Sequence, residues 1–190
     1  MAVLDQSLMW KSMEERLART TNPRHRHMIE MVIAHSKSEV AGDIEAVLST
    51  LAPDPAYHLW SDGRDVGPKG MEAVVGFYQR LLNSGGTHLE SPKERIVVDD
   101  DAVVTEMSVR QILHGRAARA NGYDIDDEDA FYVIRFRCLV LWPFTREGKI
   151  VGEDSYVSRD IHDIRKLDDA EVPQSLRGIA TGSEDAYTFT

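Results

Sequence analysis

Apolar residues recur at helical spacing through roughly the first eighty positions and then give way to alternation with polar ones. Leu4, Leu8, Met13 and Leu17 predict a short amphipathic arm, broken by Thr20, Thr21, Asn22 and Pro23. Met28, Met31, Val32 and His35 form one stripe, predicting a helix from about residue 24 to Gly42. Asp43 is placed to cap a following helix that buries Ile44, Val47, Leu48 and Leu51 and stops at Pro53 and Pro55. Residues 56–60 read as a short strand and 61–70 as a Gly- and Asp-rich loop. Met71, Val74, Val75, Tyr78, Leu81 and Leu82 mark a further helix. Beyond Asn83-Ser84-Gly85-Gly86 the pattern is that of sheet. One strand covers 87–98, with Pro92 at a bulge or edge, and Asp99-Asp100-Asp101 is a turn. Further strands cover 102–113, 130–144 and 149–158.

This order predicts an α+β fold: a curved antiparallel sheet with three helices packed on its concave face, forming a conical pocket. The domain is expected over 23–160, with a helical arm at 1–22 and a polar tail at 161–190 that wraps or frays. Both faces of the long strands carry apolar residues. Val103, Met107 and Val109 share one side of the first, and Val133, Leu139 and Leu141 share a side of the second. A solvated face would alternate more cleanly, so a homodimer through the face opposite the pocket is expected.

The 190 residues carry 32 acidic and 22 basic side chains, a net charge of -10, which argues against a nucleic-acid partner. No run approaches a membrane span and residues 1–15 show no signal peptide, so no membrane association and a cytoplasmic location are expected. Cys138 lies inside an apolar run and reads as a reduced core thiol. Arg24-His25-Arg26-His27 offers paired imidazoles with no further ligand at metal spacing. Asp124, Asp126, Asp127, Glu128 and Asp129 lack the glycine and terminal glutamate of a calcium loop and read as a solvated hairpin tip. With no Gly-rich phosphate loop and no nucleophile elbow, neither metal nor organic cofactor is expected.

The stretches Gly42-Asp43-Ile44-Glu45-Ala46-Val47, Pro53-Asp54-Pro55-Ala56-Tyr57-His58, Gly70-Met71-Glu72-Ala73-Val74 with Phe77-Tyr78, and Gly148-Lys149-Ile150-Val151 with Tyr156 occur in a telling order. Over residues 24 to 160 the chain resembles the nuclear transport factor two-like superfamily, in its SnoaL-like polyketide cyclase and ketosteroid isomerase branch. In ketosteroid isomerases the resemblance places an oxyanion-hole tyrosine where this chain has His35. The two catalytic aspartates fall on Leu59 and Val140, so isomerisation of steroids is not expected. Tyr78 matches the tyrosine that supports the oxyanion donor.

His35 also lies on the inward stripe of its own helix, so both routes make it the leading catalytic candidate. Neighbouring strand residues point to opposite faces, and the resemblance, which matches Leu59 to an inward position, implies Tyr57 inside and His58 outside. Its register likewise implies that Glu153 is on the inward face of the last strand, where a partly buried carboxylate can serve as acid or base. Catalytic candidates are therefore His35, Tyr57, His58 and Glu153. Leu59, Trp60, Phe77, Tyr78, His88, Phe136 and Trp142 are expected against substrate. An Asp62, Arg64, Asp65 relay of the epoxide-hydrolase kind is set aside, because the three crowd one loop. The resemblance implies cofactor-free chemistry on a hydroxylated aromatic molecule, with dehydration or deformylation through a quinone methide preferred. His35 or Tyr57 would deprotonate the phenol, and Glu153 or His58 would protonate the leaving hydroxyl. The alternatives are a polyketide cyclase or isomerase, or a protein that only binds a small molecule.

Overall fold

Asn22 accepts hydrogen bonds from the backbone N–H groups of Arg24 and His25, and Pro23 follows at the first helical position. Together they start α2 (Pro23–Ala41), which runs until Gly42 adopts a left-handed φ of 72°. The structure, a computed structural model, describes residues 3–61 and 63–177. Before α2 comes α1 (Leu8–Ala18); after it come α3 (Ile44–Ser49), capped by Asp43, and α4 (Met71–Asn83). The strands are β1 (His58–Ser61), β2 (Arg64–Asp65), β3 (Leu89–Glu90), β4 (Lys93–Val98), β5 (Ala102–His114), β6 (Phe131–Pro143) and β7 (Asp154–Lys166). A short α5 (Gly115–Ala120) lies between β5 and β6.

The sheet order is β2-β1-β7-β6-β5-β3, with β4 also paired to β5. Every pairing is antiparallel except β1 with β7, which run parallel. The sheet is thus mixed where sequence alternation alone predicts it antiparallel. Its inner face carries Val103, Met107, Val109, Cys138, Val140 and Trp142, packed against Met13, Val32, Val47, Val74 and Tyr78 of the first four helices. No helix among the described residues is long and apolar enough to cross a membrane.

Three local expectations differ. The single strand over 87–98 is two strands, split at Ser91 and Pro92, because proline offers no N–H to the ladder. The last strand does not end at 158 but runs to Lys166, past a register shift opposite Ile134 and Phe136. The acidic segment is no simple hairpin tip, since α5 precedes it and Tyr132 Oη donates to Asp126 at 2.6 Å. The tail beyond residue 177 lies outside the described residues. Up to that point, Leu167 and Leu176 cover Ile112 and Val133 on the outer face together with Val3 and Leu4.

Gly152 sets the junction of β1 and β7. Ala56 N–H donates to Val151 O at 2.9 Å and His58 N–H to Glu153 O at 3.0 Å, so the chains touch on both sides of it. A Cβ there would lie 1.9 Å from Ala56 O. Gly152→Ala is expected to cost about 3 kcal/mol by steric clash. Gly122→Ala, at φ 83° with nothing within 4 Å, meets only the left-handed backbone penalty of about 1 kcal/mol. Urea denaturation of both variants tests this, and equal midpoint shifts would sink the claim.

Candidate active site

Five segments send polar side chains to one buried point. His35 comes from the inward stripe of α2, Thr50 from the end of α3, Tyr57 from just before β1, Tyr78 from α4 and Glu153 from just before β7. The parallel β1–β7 pairing brings Tyr57 and Glu153 together, because it aligns His58 with Asp154.

The hydrogen bonds fix most of the protons. Thr50 Oγ1 donates to Val47 O at 2.6 Å, so it accepts from His35 Nδ1 at 2.8 Å. His35 Nε2 then faces Tyr78 Oη at 2.8 Å and Glu153 Oε1 at 3.1 Å. Tyr78 Oη donates to the same Oε1 at 2.9 Å and lies 2.8 Å from Tyr57 Oη. The Nε2–Oε1 contact takes one proton carried by either partner, and since Tyr78 gives its own proton to Oε1, Tyr78 Oη is bonded by Nε2 only when His35 is the imidazolium. Burial, and after it the charge of Glu153, pushes both tyrosines well above the usual phenol range. They therefore act as hydrogen-bond donors, and Tyr57 is unsuited to the role of base.

His35 has no exposed side-chain surface, whereas Glu153 keeps 17% of its own. His35 Nε2 and Tyr78 Oη both bond Oε1, and Tyr57 adds to the same carboxyl, so Glu153 is the partly exposed member of the cluster and His35 the enclosed one. Trp142 presents an edge-to-face contact to His35 with centroids 5.6 Å apart, and Phe77 packs in the same manner on Tyr57 and Tyr78. Phe136 joins the main core to the smaller cluster under α5.

Not all predicted residues meet here. Leu59 pairs with buried Ser155 and lies on the inner face. His58 is on the outer face, where its Nδ1 lies 2.7 Å from Asp65, and Trp60 stacks between His58 and Tyr156. His88 bonds Gly85 O and Ser175 and lines a separate pocket between the terminal segments. Of the set-aside relay, Arg64 and Asp65 form an exposed two-residue strand, and Asp62 is outside the described residues. His25 and His27 diverge, to Asp100 and to Gly148 O.

Sequence reasoning missed Glu39 and Lys93. Glu39 follows His35 by one helical turn, a spacing that could have flagged it. Burial raises its carboxyl to about 7, helped by the charge of Glu153 and opposed by His35 and Lys93. Lys93 stands opposite Met107 on the inner face, and burial lowers its ammonium to about 8. Beside them Cys138, buried and unoxidised, is pushed up to about 12 and stays a thiol.

The sequence model described as the SnoaL-like domain matches residues 32–153. A protein from a soil-derived mobile gene cassette superposes with a TM-score of 0.54 at 14% identity, over 74% of this chain and 95% of its own. A nuclear transport factor two-like protein of Anabaena variabilis gives 0.53 at 15% identity, over 74% and 95%. The epoxide hydrolase/cyclase-like enzyme SalBIII, of pyran ring formation in the polyether salinomycin, gives 0.50 at 13% identity, also over 74% and 95%. At these identities the likeness is one of fold. No curated protein sequence matches.

Glu39 makes a pH test available. Its folded value of about 7 exceeds the ordinary 4.5, so between those limits the folded protein holds a proton that the unfolded chain releases. Stability from this group is therefore lost as pH rises through that window. Glu39→Gln, which mimics the protonated form, should match the parent at pH 4 and exceed it by on the order of 2 kcal/mol at pH 8. Urea midpoints across that range check it, and parallel curves would refute it.

Proposed function

The chain belongs to the SnoaL-like domain family, and on that premise we propose that it is a cofactor-independent lyase acting on a hydroxylated aromatic small molecule. The observation that carries this reading is the Glu153 carboxyl, which keeps 17% of its surface exposed while bonding the fully enclosed His35 and Tyr78. Glu153 gives a proton to a benzylic hydroxyl. The C–O bond breaks, water leaves, and the ring's phenolate electron pair forms a quinone methide. Glu153 then takes back a proton, either from the neighbouring carbon, giving the alkene, or from a neighbouring hydroxymethyl group, which departs as formaldehyde while the phenolate re-forms. The aromatic ring is its own electron sink, so proton transfer alone suffices. His35 positions and recharges Glu153, and Tyr78 and Tyr57 hold its orientation. A carboxyl so placed would equally deprotonate a hydroxyl for ring closure, which the fold relationship to SalBIII keeps as the second reading.

The test is product analysis on para-hydroxyphenyl carbinols with and without a neighbouring hydroxymethyl group. Alkene or formaldehyde is expected, lowered about 10²–10⁴-fold in Glu153→Gln, which keeps the acceptor for Tyr78. His35→Gln should lower turnover less and displace the pH profile. A folded Glu153→Gln protein with full activity would overturn the reading, and cyclic products would favour the second.

The proposed enzyme is a homodimer. Trp60, Tyr156 and Leu139 form one cross-strand row on the outer face and remain 39%, 51% and 37% exposed. Beside them Arg137 bridges Glu94 and Glu106 and gives the patch a polar rim. Sedimentation at micromolar concentration should give twice the chain mass, and the double substitution Leu139→Lys and Tyr156→Lys should give one. A monomeric parent would discard this arrangement.

A further inference from the structure

Thr50 closes α3 with a hydroxyl whose proton is already committed. Its Oγ1 lies 2.6 Å from Val47 O, three residues back, and a carbonyl cannot supply the hydrogen that so short a contact needs. The hydroxyl therefore gives its one proton to Val47. At its other contact, His35 Nδ1 at 2.8 Å, it can only accept. Thr50 is 3% exposed and His35 is wholly enclosed, so solvent offers no substitute acceptor.

The backbone holds this acceptor in place. Ile150 N–H donates to Thr50 O at 3.0 Å and Ala52 N–H to Ile150 O at 2.7 Å, in a short parallel bridge of Leu51 with Ile150. Glu153 follows Ile150 by three residues. One paired unit thus carries the acceptor on the Nδ1 side of His35 and the carboxyl on its Nε2 side. With Nδ1–H fixed, Nε2 is the nitrogen that gains and loses a proton, and it lies 3.1 Å from Glu153 Oε1 and 2.8 Å from Tyr78 Oη. Charged, it donates toward them; neutral, it accepts the proton of the Glu153 carboxyl. In the opposite tautomer His35 would exchange its proton at Nδ1, against a hydroxyl that is neither acid nor base near neutral pH. The titratable groups facing the ring are Glu153 and, from α4, Tyr78, with Tyr57 behind Tyr78; Glu39 stands one turn further along α2 itself. Trp142 of β6 presents only its ring edge.

We propose that Thr50 is a positioning residue that keeps His35 in the Nδ1–H tautomer and so confines its proton exchange to Nε2, the nitrogen beside Glu153. This deepens the proposed function: the tautomer stands on the hydrogen bonds, and its effect on turnover rests on the lyase reading. Thr50 itself neither gains nor loses a proton.

Nitrogen-15 NMR of the imidazole reads the tautomer without turnover. In the parent, His35 Nδ1 should keep a protonated shift at every pH at which the protein is folded. In Glu153→Gln, which removes the counter-charge and favours the neutral ring, only Nε2 should lose its proton as pH rises. Thr50→Val, alone or with Glu153→Gln, leaves Nδ1–H without an acceptor, so the neutral ring should adopt the Nε2–H form. The imidazolium is disfavoured for the same reason. The limb of the pH–rate profile that follows His35 should therefore move down by about 1–2 pH units in Thr50→Val, with turnover lowered about tenfold. Thr50→Ser keeps the acceptor and should restore both. If Thr50→Val does not fold, Thr50→Cys, with a weaker acceptor in the same place, should shift tautomer and profile in the same direction. A neutral Nε2–H tautomer in the parent or in Glu153→Gln would overturn the proposal. So would a Thr50→Val protein that loses stability but keeps the Nδ1–H form and the parent's pH profile. Absence of turnover, with the tautomer as expected and lost in Thr50→Val, would overturn the lyase reading alone.

Discussion

A carboxyl and an imidazole 3.1 Å apart against an apolar core need partners for the protons and lone pairs that solvent does not reach. Thr50 supplies one on the far side of His35, Tyr78 bonds both members, and Tyr57 secures Tyr78. Those partners come from segments separated by most of the chain. The helix packing, the parallel β1–β7 pairing and the tight passage at Gly152 are each needed to complete the set. A displacement of any one leaves a buried polar group unsatisfied, at a cost of about 1–3 kcal/mol.

The same arrangement divides labour. His35 is completely enclosed and reaches outward only through its bonds to Thr50, Tyr78 and the partly exposed Glu153. The tyrosines are held as neutral donors by burial and by the negative charge beside them. Ketosteroid isomerases, by resemblance, place their carboxylates where this chain has Leu59 and Val140. Here Leu59 is half-buried, Val140 is buried, and the acid enters one strand over, from the segment leading into β7. One scaffold can thus present its acid from a different strand, and the chemistry available changes with it.

The two faces of the sheet obey different constraints. The inner face trades apolar packing for a few polar groups that must find partners, as His35, Tyr78 and Glu153 do. The outer face is closed at one end by the chain's own termini over Ile112 and Val133, and at the other exposes a stacked row of His58, Trp60 and Tyr156.

While the inward faces of Tyr57 and Glu153 needed the family resemblance to set the register, periodicity and stop signals alone determined the helices of the first half, the long strands of the second and the inward placement of His35. These depend on local spacing, which is written in the chain. Local spacing could not split the strand at Pro92, extend β7 through its irregular stretch or foresee α5, because each depends on what a neighbouring strand pairs with. The assembly of the site is further still from the sequence. His58 and His88 carry the same imidazole as His35 and face elsewhere, while Glu39 and Lys93 look like ordinary surface residues until the fold half-buries them beside the core. Which groups bond Glu153, and how far each is enclosed, are decided by contacts between residues tens of positions apart, and only the tertiary structure brings those together.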